Sequence, residues 1–301
     1  MKSFAIASPY GGPYCYDFII YLTLRKKLEE MGLLYDPESL NRIYMLGFPL
    51  RAKYNSCGGY RGDAFNIGLV GSYFPQIDKE QLSKFNLIYC SSEFGYDEIL
   101  KKHGRRPDGL WSIYSPFSED VPEFELTKNT IELPELDIGF VGNARSRPAI
   151  ELLLPLLSKN NWRFQWHGYG IKVYHGNKQL IPYWSGGVLP YHQYPEFAKK
   201  TKIVLVDMHE EMAAVGCPSF KYIDHLMSGA FVMVHNNKYA EKIGGVSFNS
   251  SSDLELKIKK YLADVGAREE IRQRQYELVR KENTVEKTAT FLKGVIDGFG
   301  K

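Results

Sequence analysis

Cysteine is scarce in this sequence, and the cysteines that are present lie far apart. The four residues are Cys15, Cys57, Cys90 and Cys217, and no two of them form a CxxC pair in the chain of 301 residues. Cysteine-based zinc sites need closely spaced cysteines, and small disulfide-stabilised domains need many of them. We therefore expect four free thiols, and neither a zinc site nor a disulfide framework.

Long hydrophobic runs are also missing. No stretch approaches the roughly 20 apolar residues that cross a bilayer as a helix. The N-terminal sequence MKSFAIASPY has too brief an apolar patch for a secretory leader, so a cytoplasmic protein is predicted. A hydrophobic share of 44% and a charged share of 24% are typical of a globular protein. The length suggests two domains or one large one, at roughly 100–200 residues per domain.

The excess of basic over acidic residues is small. A net charge of +3 does not by itself indicate a nucleic-acid partner, and none is predicted. A local basic cluster at 101–106 is interpreted as a solvated helix end, with a membrane-surface contact or an acceptor-binding patch as the alternatives. The aromatic share of 14% suits stacking on sugars or bases, and it suits a well-filled core equally.

Several catalytic motifs are absent. The sequence contains no GxGxxG, GxxxxGK[ST], GxSxG or HExxH, which argues against Rossmann dehydrogenases, P-loop enzymes, α/β-hydrolases and zinc proteases. It also contains no DxD pair of the kind that holds a metal ion against a diphosphate. No metal site is predicted, and any diphosphate would be neutralised by arginine, lysine and a helix N-terminus.

What is present is a repeated alternation of apolar strand, glycine-bearing loop and amphipathic helix. The strand patterns cover 3–8, 41–46, 66–73, 86–90 and 111–115, and then 137–142, 163–166, 203–206, 230–234 and 245–248. A segment with three prolines, 116–135, separates the two series. The pattern predicts an α/β protein with two parallel-sheet domains. We place them at 1–117 and 137–301, with a linker at 118–136 and a last helix able to pack back on the first domain.

The segment 216–237 is the most informative. It predicts a turn, a helix with Ser219 as N-cap and Gly229 as a left-handed C-terminal residue, and then a buried strand. Lys221 falls in the first turn of that helix, where the helix dipole favours an anion. A phosphate sharing the site would explain this lysine. The alternative is an ordinary i,i+3 surface pair with Asp224.

The carboxyl ends of the strands in the second series carry groups that suit a nucleotide diphosphate. Ligands of open parallel sheets bind beyond those ends. The candidate residues there, with those of the helix start, are Gly142, Arg145, Arg147, His167, Gly168, Tyr169, Gly170, Pro218, Ser219 and Lys221.

The run GCPSFKYID at 216–224, followed by MSGA at 227–230, resembles the G-x-P-x-x-R-x-F-E-x-x-A-C-G-A signature of the spore-maturation CgeB-like proteins. These belong to the GT-B glycosyltransferases of the group 1 type. The segments 137–142, 191–206 and 282–296 resemble neighbouring segments of that family in the same order. The resemblance covers 137–296, and it implies two Rossmann-like domains whose parallel sheets face each other across a cleft.

The resemblance also implies roles for single residues. Asp224 takes the place of the acid that binds the donor ribose, Lys221 that of an arginine near the diphosphate, and Arg147 the basic position after the first glycine turn. The segment Gly168–Gly170 borders the nucleotide. The sequence departs from the pattern in three ways: Asp224 is shorter than the usual glutamate, Lys221 lacks the arginine fork, and Gly216 stands where related retaining enzymes carry a glutamate.

The implied activity is hexosyl transfer from a UDP- or GDP-sugar to a glycan or small-molecule acceptor, as in polysaccharide biosynthesis, without a cofactor or metal and with retention of configuration. Inversion would need a general base, for which Asp63 and Glu93 are the candidates. His209 either contacts the sugar or is exposed. The alternatives are a nucleotide-sugar 2-epimerase and a non-catalytic subunit that binds nucleotide-sugars or glycans. The oligomeric state is left open.

Overall fold

The structure is a computed structural model, and it describes residues 2–7, 16–46, 60–71, 79–115, 131–170, 178–208, 212–213 and 216–299. Side chains at 16–18, 46 and 81 are outside this description. The candidate His209, the cysteines Cys15 and Cys57 and most of the predicted linker lie outside the described residues. Of the helices in the described ranges, none combines the length and the apolar character needed to cross a membrane.

The chain divides into two compact units. The first comprises Met1–Phe124, His209–Phe220 and Lys281–Lys301. Its six strands pair only in parallel, in the order β2-β1-β3-β4-β5-β6. The strands are β1 (Ser3–Ala7), β2 (Leu34–Tyr35), β3 (Asn41–Leu46), β4 (Phe65–Val70), β5 (Leu87–Cys90) and β6 (Gly109–Leu110). The helices are α1 (Tyr16–Glu30), α2 (Lys79–Ser83), α3 (Gly95–His103) and, at the end of the chain, α10 (Val285–Gly298).

The second unit comprises Glu125–Met208 and Lys221–Arg280. Its five strands also pair in parallel, in the order β11-β10-β9-β7-β8. The strands are β7 (Leu136–Val141), β8 (Phe164–His167), β9 (Thr201–Val206), β10 (Val232–His235) and β11 (Val246–Phe248). The helices are α4 (Pro148–Leu157), α5 (Tyr194–Lys200), α6 (Phe220–Met227), α7 (Lys238–Lys242), α8 (Ser251–Ala263) and α9 (Val265–Glu282). The helix α6 begins on the last residue of the first unit, and α9 ends inside that unit.

Parallel sheets are covered on both faces, so their strands are apolar throughout and do not alternate. The strand β4 is buried at every position, and β9 at every position except Lys202. In the second unit Phe140, Trp166 and Leu205 belong to one core cluster that also includes residues of α4 and α8. The prediction of an α/β protein with two parallel sheets is confirmed.

The predicted strand at 111–115 is wrong, because the ladder of β6 ends at Leu110. The segment is nevertheless buried, and side chains bind its backbone. Asn283 Nδ2 donates to the Ile113 carbonyl at 2.7 Å, and Thr288 Oγ1 donates to the Ser112 carbonyl at 2.9 Å. A buried irregular segment is as apolar as a buried strand, and composition alone does not distinguish the two.

The predicted end of α6 is confirmed. Gly229 has a φ of 81°. Its N–H donates to the Leu226 carbonyl at 3.0 Å, and the N–H of Ala230 donates to the His225 carbonyl at 2.9 Å. These two hydrogen bonds form a Schellman motif, which needs a residue that adopts a positive φ without strain. The motif ends the helix and turns the chain into the segment that leads to β10.

Candidate active site

The carboxyl ends of β7 and β8 approach each other unusually closely in the second unit. Gly142 N donates to the His167 carbonyl at 2.8 Å. A Cβ atom added at Gly168 would lie 1.9 Å from the Gly142 oxygen, so this position accepts only glycine without movement of the backbone. Both glycines were predicted site residues, and the structure places them side by side at the edge where a ligand of a parallel sheet binds.

Arg147 lies across this edge and is almost fully buried, with 8% of its side chain exposed. Its Nη1 donates to Asp207 Oδ1 at 2.7 Å and its Nε donates to the Asn143 carbonyl at 3.0 Å. A Cβ atom at Gly142 would come within 2.8 Å of Arg147 Nη2. Glycine at this position therefore leaves the space that the guanidinium occupies.

Lys221 reaches the same edge from the first turn of α6. Its Nζ donates to the Val141 carbonyl, the last residue of β7, at 3.1 Å. Desolvation, followed by the positive charge of Arg147, lowers the pKa of Lys221 to about 7, with Arg145 acting in the same direction and Asp207 against it. The ammonium thus lies in a region of excess positive potential, which an anion would neutralise.

Asp224 lies one turn further along α6 and is fully buried. Its Oδ2 accepts a hydrogen bond from the Tyr191 hydroxyl at 3.1 Å. Burial raises the pKa of this carboxyl well above its ordinary value. Lys221 and Asp224 have different hydrogen-bond partners on different elements, so a simple i,i+3 surface pair does not describe their surroundings.

Two buried histidines flank Phe197 of α5. The His167 ring meets the Phe197 ring edge-on at 5.3 Å, and the His225 ring stacks on Tyr194 at 5.0 Å. Neither ring has a hydrogen-bond partner among the described residues. Desolvation lowers the pKa of His167 to about 4 and that of His225 to about 3. Both rings are therefore neutral at physiological pH, and they add no charge to the site.

The remaining donor-site candidates surround the loops after β7 and β8. Tyr169 is exposed, and its carbonyl accepts a hydrogen bond from Ala144 N at 2.7 Å. Gly170 has a φ of 86°, in the region that favours glycine. Arg145 is partly buried and contributes positive potential at Lys221.

Pro218 and Ser219 are buried and belong to the first unit. The segment that carries them is held there by its neighbours. Cys217 Sγ lies 3.0 Å from Ser91 Oγ, and a Cβ atom at Gly216 would lie 2.7 Å from the Phe94 ring. Their predicted part in donor binding stays a prediction.

The catalytic candidates of the first unit lie on its surface. The Asp63 carboxylate is paired with Arg61 through two hydrogen bonds of 3.0 and 2.6 Å, which lower the pKa of Asp63. Glu93 is exposed just before α3. Both stay predictions as general bases.

One charged residue of the site was missed by the sequence reasoning. Asp207 follows β9 directly, and 1% of its side chain is exposed. Its position after the apolar run 201–206 placed it at the correct edge of the sheet, but nothing in the sequence indicated that it pairs with Arg147. No group of three or more metal-ligating side chains occurs within the described part of the chain.

The matching family model is that of the "Glycosyl transferase-like" proteins, and it covers residues 145–294. This range contains Arg145, Arg147, Asp207, Lys221 and Asp224. The chain is a glycosyltransferase. A search of curated proteins finds no match.

Solved structures give the fold of this glycosyltransferase. Sucrose-phosphate synthase from Thermosynechococcus elongatus matches with a TM-score of 0.67 and 11% identity, over 99% of this chain and 98% of that one. A variant of T4 phage β-glucosyltransferase in complex with UDP-glucose matches with a TM-score of 0.59 and 13% identity, over the full length of both chains. The T4 phage enzyme is also found in complex with UDP and Mn²⁺.

A third similar structure is Staphylococcus aureus TarM, in a complex with fondaparinux, α-GlcNAc-glycerol and UDP. It matches with a TM-score of 0.54 and 13% identity, over 93% of this chain and 59% of TarM. At these identities the likeness concerns the fold alone. It confirms the predicted GT-B class with two Rossmann-like domains.

Proposed function

We propose that this glycosyltransferase takes its sugar from a UDP- or GDP-sugar whose diphosphate binds at the carboxyl edge of the sheet in the second unit. The observation that carries the proposal is the position of Lys221, whose ammonium lies at the end of β7 within the positive potential of Arg145 and Arg147. A diphosphate would balance the positive charge that Asp207 leaves uncompensated at this edge.

The cations at this edge differ in whether a carboxylate neutralises them. Arg147 is compensated by Asp207 at 2.7 Å, whereas the hydrogen bond of Lys221 goes to a neutral carbonyl. Lys221 is therefore the group we assign to the diphosphate, with Arg145 adding positive potential from the loop after β7. As the bond to the sugar breaks, negative charge accumulates on the leaving diphosphate, and preorganised cations stabilise it most at that moment.

Asp224 is proposed as the ligand of the donor ribose, as the family resemblance implies. Its carboxyl now accepts a hydrogen bond from Tyr191 and is fully buried. Ribose binding at this residue would require the carboxyl to exchange that hydrogen bond for one from a ribose hydroxyl. Tyr191→Phe is then the informative variant, because it removes the competing donor without changing the carboxyl.

We further propose transfer with retention of configuration, to a glycan or small-molecule acceptor. Retention requires no general base. The pairing of Asp63 with Arg61 makes this one residue a weaker candidate for the base that inversion needs, because a carboxylate whose pKa is lowered is a weaker base.

A panel of UDP- and GDP-sugars, each incubated with the protein in EDTA and in Mn²⁺, tests the activity. We expect release of nucleotide with at least one donor, at similar rates in the two conditions. Isomerisation of the sugar without release of nucleotide would instead indicate an epimerase, and binding without turnover a non-catalytic subunit. Activity lost in EDTA and restored by Mn²⁺ would contradict the proposal that transfer is metal-independent.

Donor affinity should depend on pH through Lys221. Burial and Arg147 lower the pKa of Lys221 to about 7 in the free protein, and a bound diphosphate raises it again. Below that pH the lysine is charged in both states and the affinity is constant. Above it binding must take up a proton, so the affinity falls by up to about tenfold per pH unit.

The dissociation constant of UDP-glucose, or of GDP-mannose if it binds more tightly, measured from about pH 6 to pH 9 checks this dependence. These donors are diphosphate diesters and lack the terminal phosphate that would titrate in this range. The control is Lys221→Arg, which stays charged at every pH tested and should bind with a flat profile. A flat profile in the unmodified protein would contradict the assignment of Lys221.

A further inference from the structure

We propose that Asp207 is a positioning residue of this donor site and that it acts through Arg147 and Lys221. The inference rests on the proposed function and adds to it a residue that contacts neither donor nor acceptor. Asp207 lies at the end of β9, the strand next to β7 in the sheet. It therefore reaches the carboxyl edge of the sheet, where we propose that the diphosphate binds, from a different strand than Arg147 does.

The geometry holds the pair rigidly. Asp207 Oδ1 accepts from Arg147 Nη1 at 2.7 Å, and the two side chains are 1% and 8% exposed. The guanidinium also binds the Asn143 carbonyl through Nε and lies over the Phe140 ring at 5.5 Å. Oδ2 of Asp207 is buried and has no hydrogen-bond partner among the described residues. The carboxylate thus has its one described hydrogen bond to the arginine.

Charged and titratable groups face the Lys221 ammonium from three elements. Arg145 and Arg147 lie in the loop after β7 and Asp207 follows β9, whereas the titratable group of α6 itself that interacts with Lys221 is the neutral His225. The charge of Asp207 also acts on His235, at the end of β10, and favours its protonated form. Of the groups that act on Lys221, Asp207 is the one that favours the charged ammonium, while Arg147 and Arg145 oppose it.

Loss of the Asp207 carboxylate would therefore have two consequences. The buried guanidinium of Arg147 would lose its counter-charge, which is strongly unfavourable in a buried site. The Lys221 ammonium would face two arginines without the opposing acid, so it would give up its proton at a lower pH. Asp207 in this way maintains, at neutral pH, the cation that the diphosphate needs.

The test is the pH profile of UDP-glucose binding, with GDP-mannose used instead if it is the tighter donor. For Asp207→Asn we expect the pH above which affinity declines to move down by about one unit. Arg147→Gln removes the opposing cation and should move it up. Shifts in opposite directions are the signature of an electrostatic role, because a merely structural loss would weaken binding without moving the midpoint. If Asp207→Asn does not fold, the upward shift in Arg147→Gln still tests the inference.

A matched control lies at the other end of the same sheet. Asp137 also pairs with basic side chains, Lys202 at 2.8 Å and Arg163 at 3.7 Å, but at the amino end of β7. Asp137→Asn should leave the midpoint unchanged. If Asp207→Asn or Arg147→Gln binds the donor with the same midpoint pH as the unmodified protein, this inference is overturned. The proposed function is not affected by that result. Failure of the unmodified protein to bind any of the nucleotide-sugars would overturn the proposed function together with this inference.

Discussion

Replacement of Lys221 by glutamine should lower kcat/KM for the nucleotide-sugar about 100-fold, the usual cost of removing one group that stabilises transition-state charge. The ammonium lies at the carboxyl end of β7, bound to the Val141 carbonyl at 3.1 Å. Glutamine is close in size and still donates a hydrogen bond, so the fold should be retained while the positive charge is lost. Because the charge on the diphosphate grows as the bond to the sugar breaks, kcat should fall as well as donor affinity.

Steady-state kinetics with the best donor of the panel measure this effect. Lys202→Gln is the matched control. Lys202 lies at the amino end of β9, at the opposite edge of the same sheet, and pairs with Asp137 at 2.8 Å. This substitution should change kcat/KM less than about twofold, as expected of an exposed ion pair. Equal kinetics for Lys221→Gln and the unmodified protein would place the donor elsewhere.

Replacement of Gly168 by alanine should be the most damaging glycine-to-alanine substitution for stability in the second unit, at roughly 3 kcal/mol. The added Cβ would lie 1.9 Å from the Gly142 oxygen. Hydrogen bonds restrain both backbone segments. Trp166 Nε1 donates to the Gly142 carbonyl at 2.6 Å, and Trp184 Nε1 donates to the Gly168 carbonyl at 3.0 Å. The strands β7 and β8 would have to separate at the edge where we propose that the donor binds.

Thermal unfolding and donor binding together measure the effect of Gly168→Ala. A lower melting temperature should accompany weaker donor binding, since the Arg147 guanidinium lies directly against Gly142 and would be displaced with it. Gly187→Ala is the control from the neighbouring loop. The Gly187 carbonyl binds Gly168 N at 2.8 Å, yet an added Cβ at Gly187 meets no atom within 4 Å. An unchanged melting temperature in Gly168→Ala would contradict the close approach of the two strands.

Much of the fold could be predicted because burial on both faces of a parallel sheet leaves continuous apolar runs. The strand at 41–46 was predicted with its observed bounds, and the left-handed Gly229 followed from the end of the helical pattern. The possible phosphate contact of Lys221 could be predicted from local electrostatics, since a cation in the first turn of a helix is unfavourable unless an anion is near. These features depend on short stretches of sequence.

Features that depend on distant pairs could not be predicted. Arg147 and Asp207 are 60 positions apart, and local patterns do not tell which side chains of two neighbouring loops meet. The same reason explains the segment at 111–115, whose backbone is bound by Asn283 and Thr288 from the end of the chain. Its apolar composition was correctly recognised, but its partner was not.

The last helix, α10, belongs to the first unit and packs against α1. Lys2 Nζ donates to the carbonyls of Ile296, Asp297 and Phe299 at 2.8–2.9 Å, so the residue before β1 is bound to the C-terminal end of α10. During synthesis the chain emerges from the N-terminus, and the first sheet is made long before the helix that completes its surroundings. A ribosome-bound chain that lacks 281–301 should therefore still expose the apolar face of α1 that α10 covers in the complete first unit.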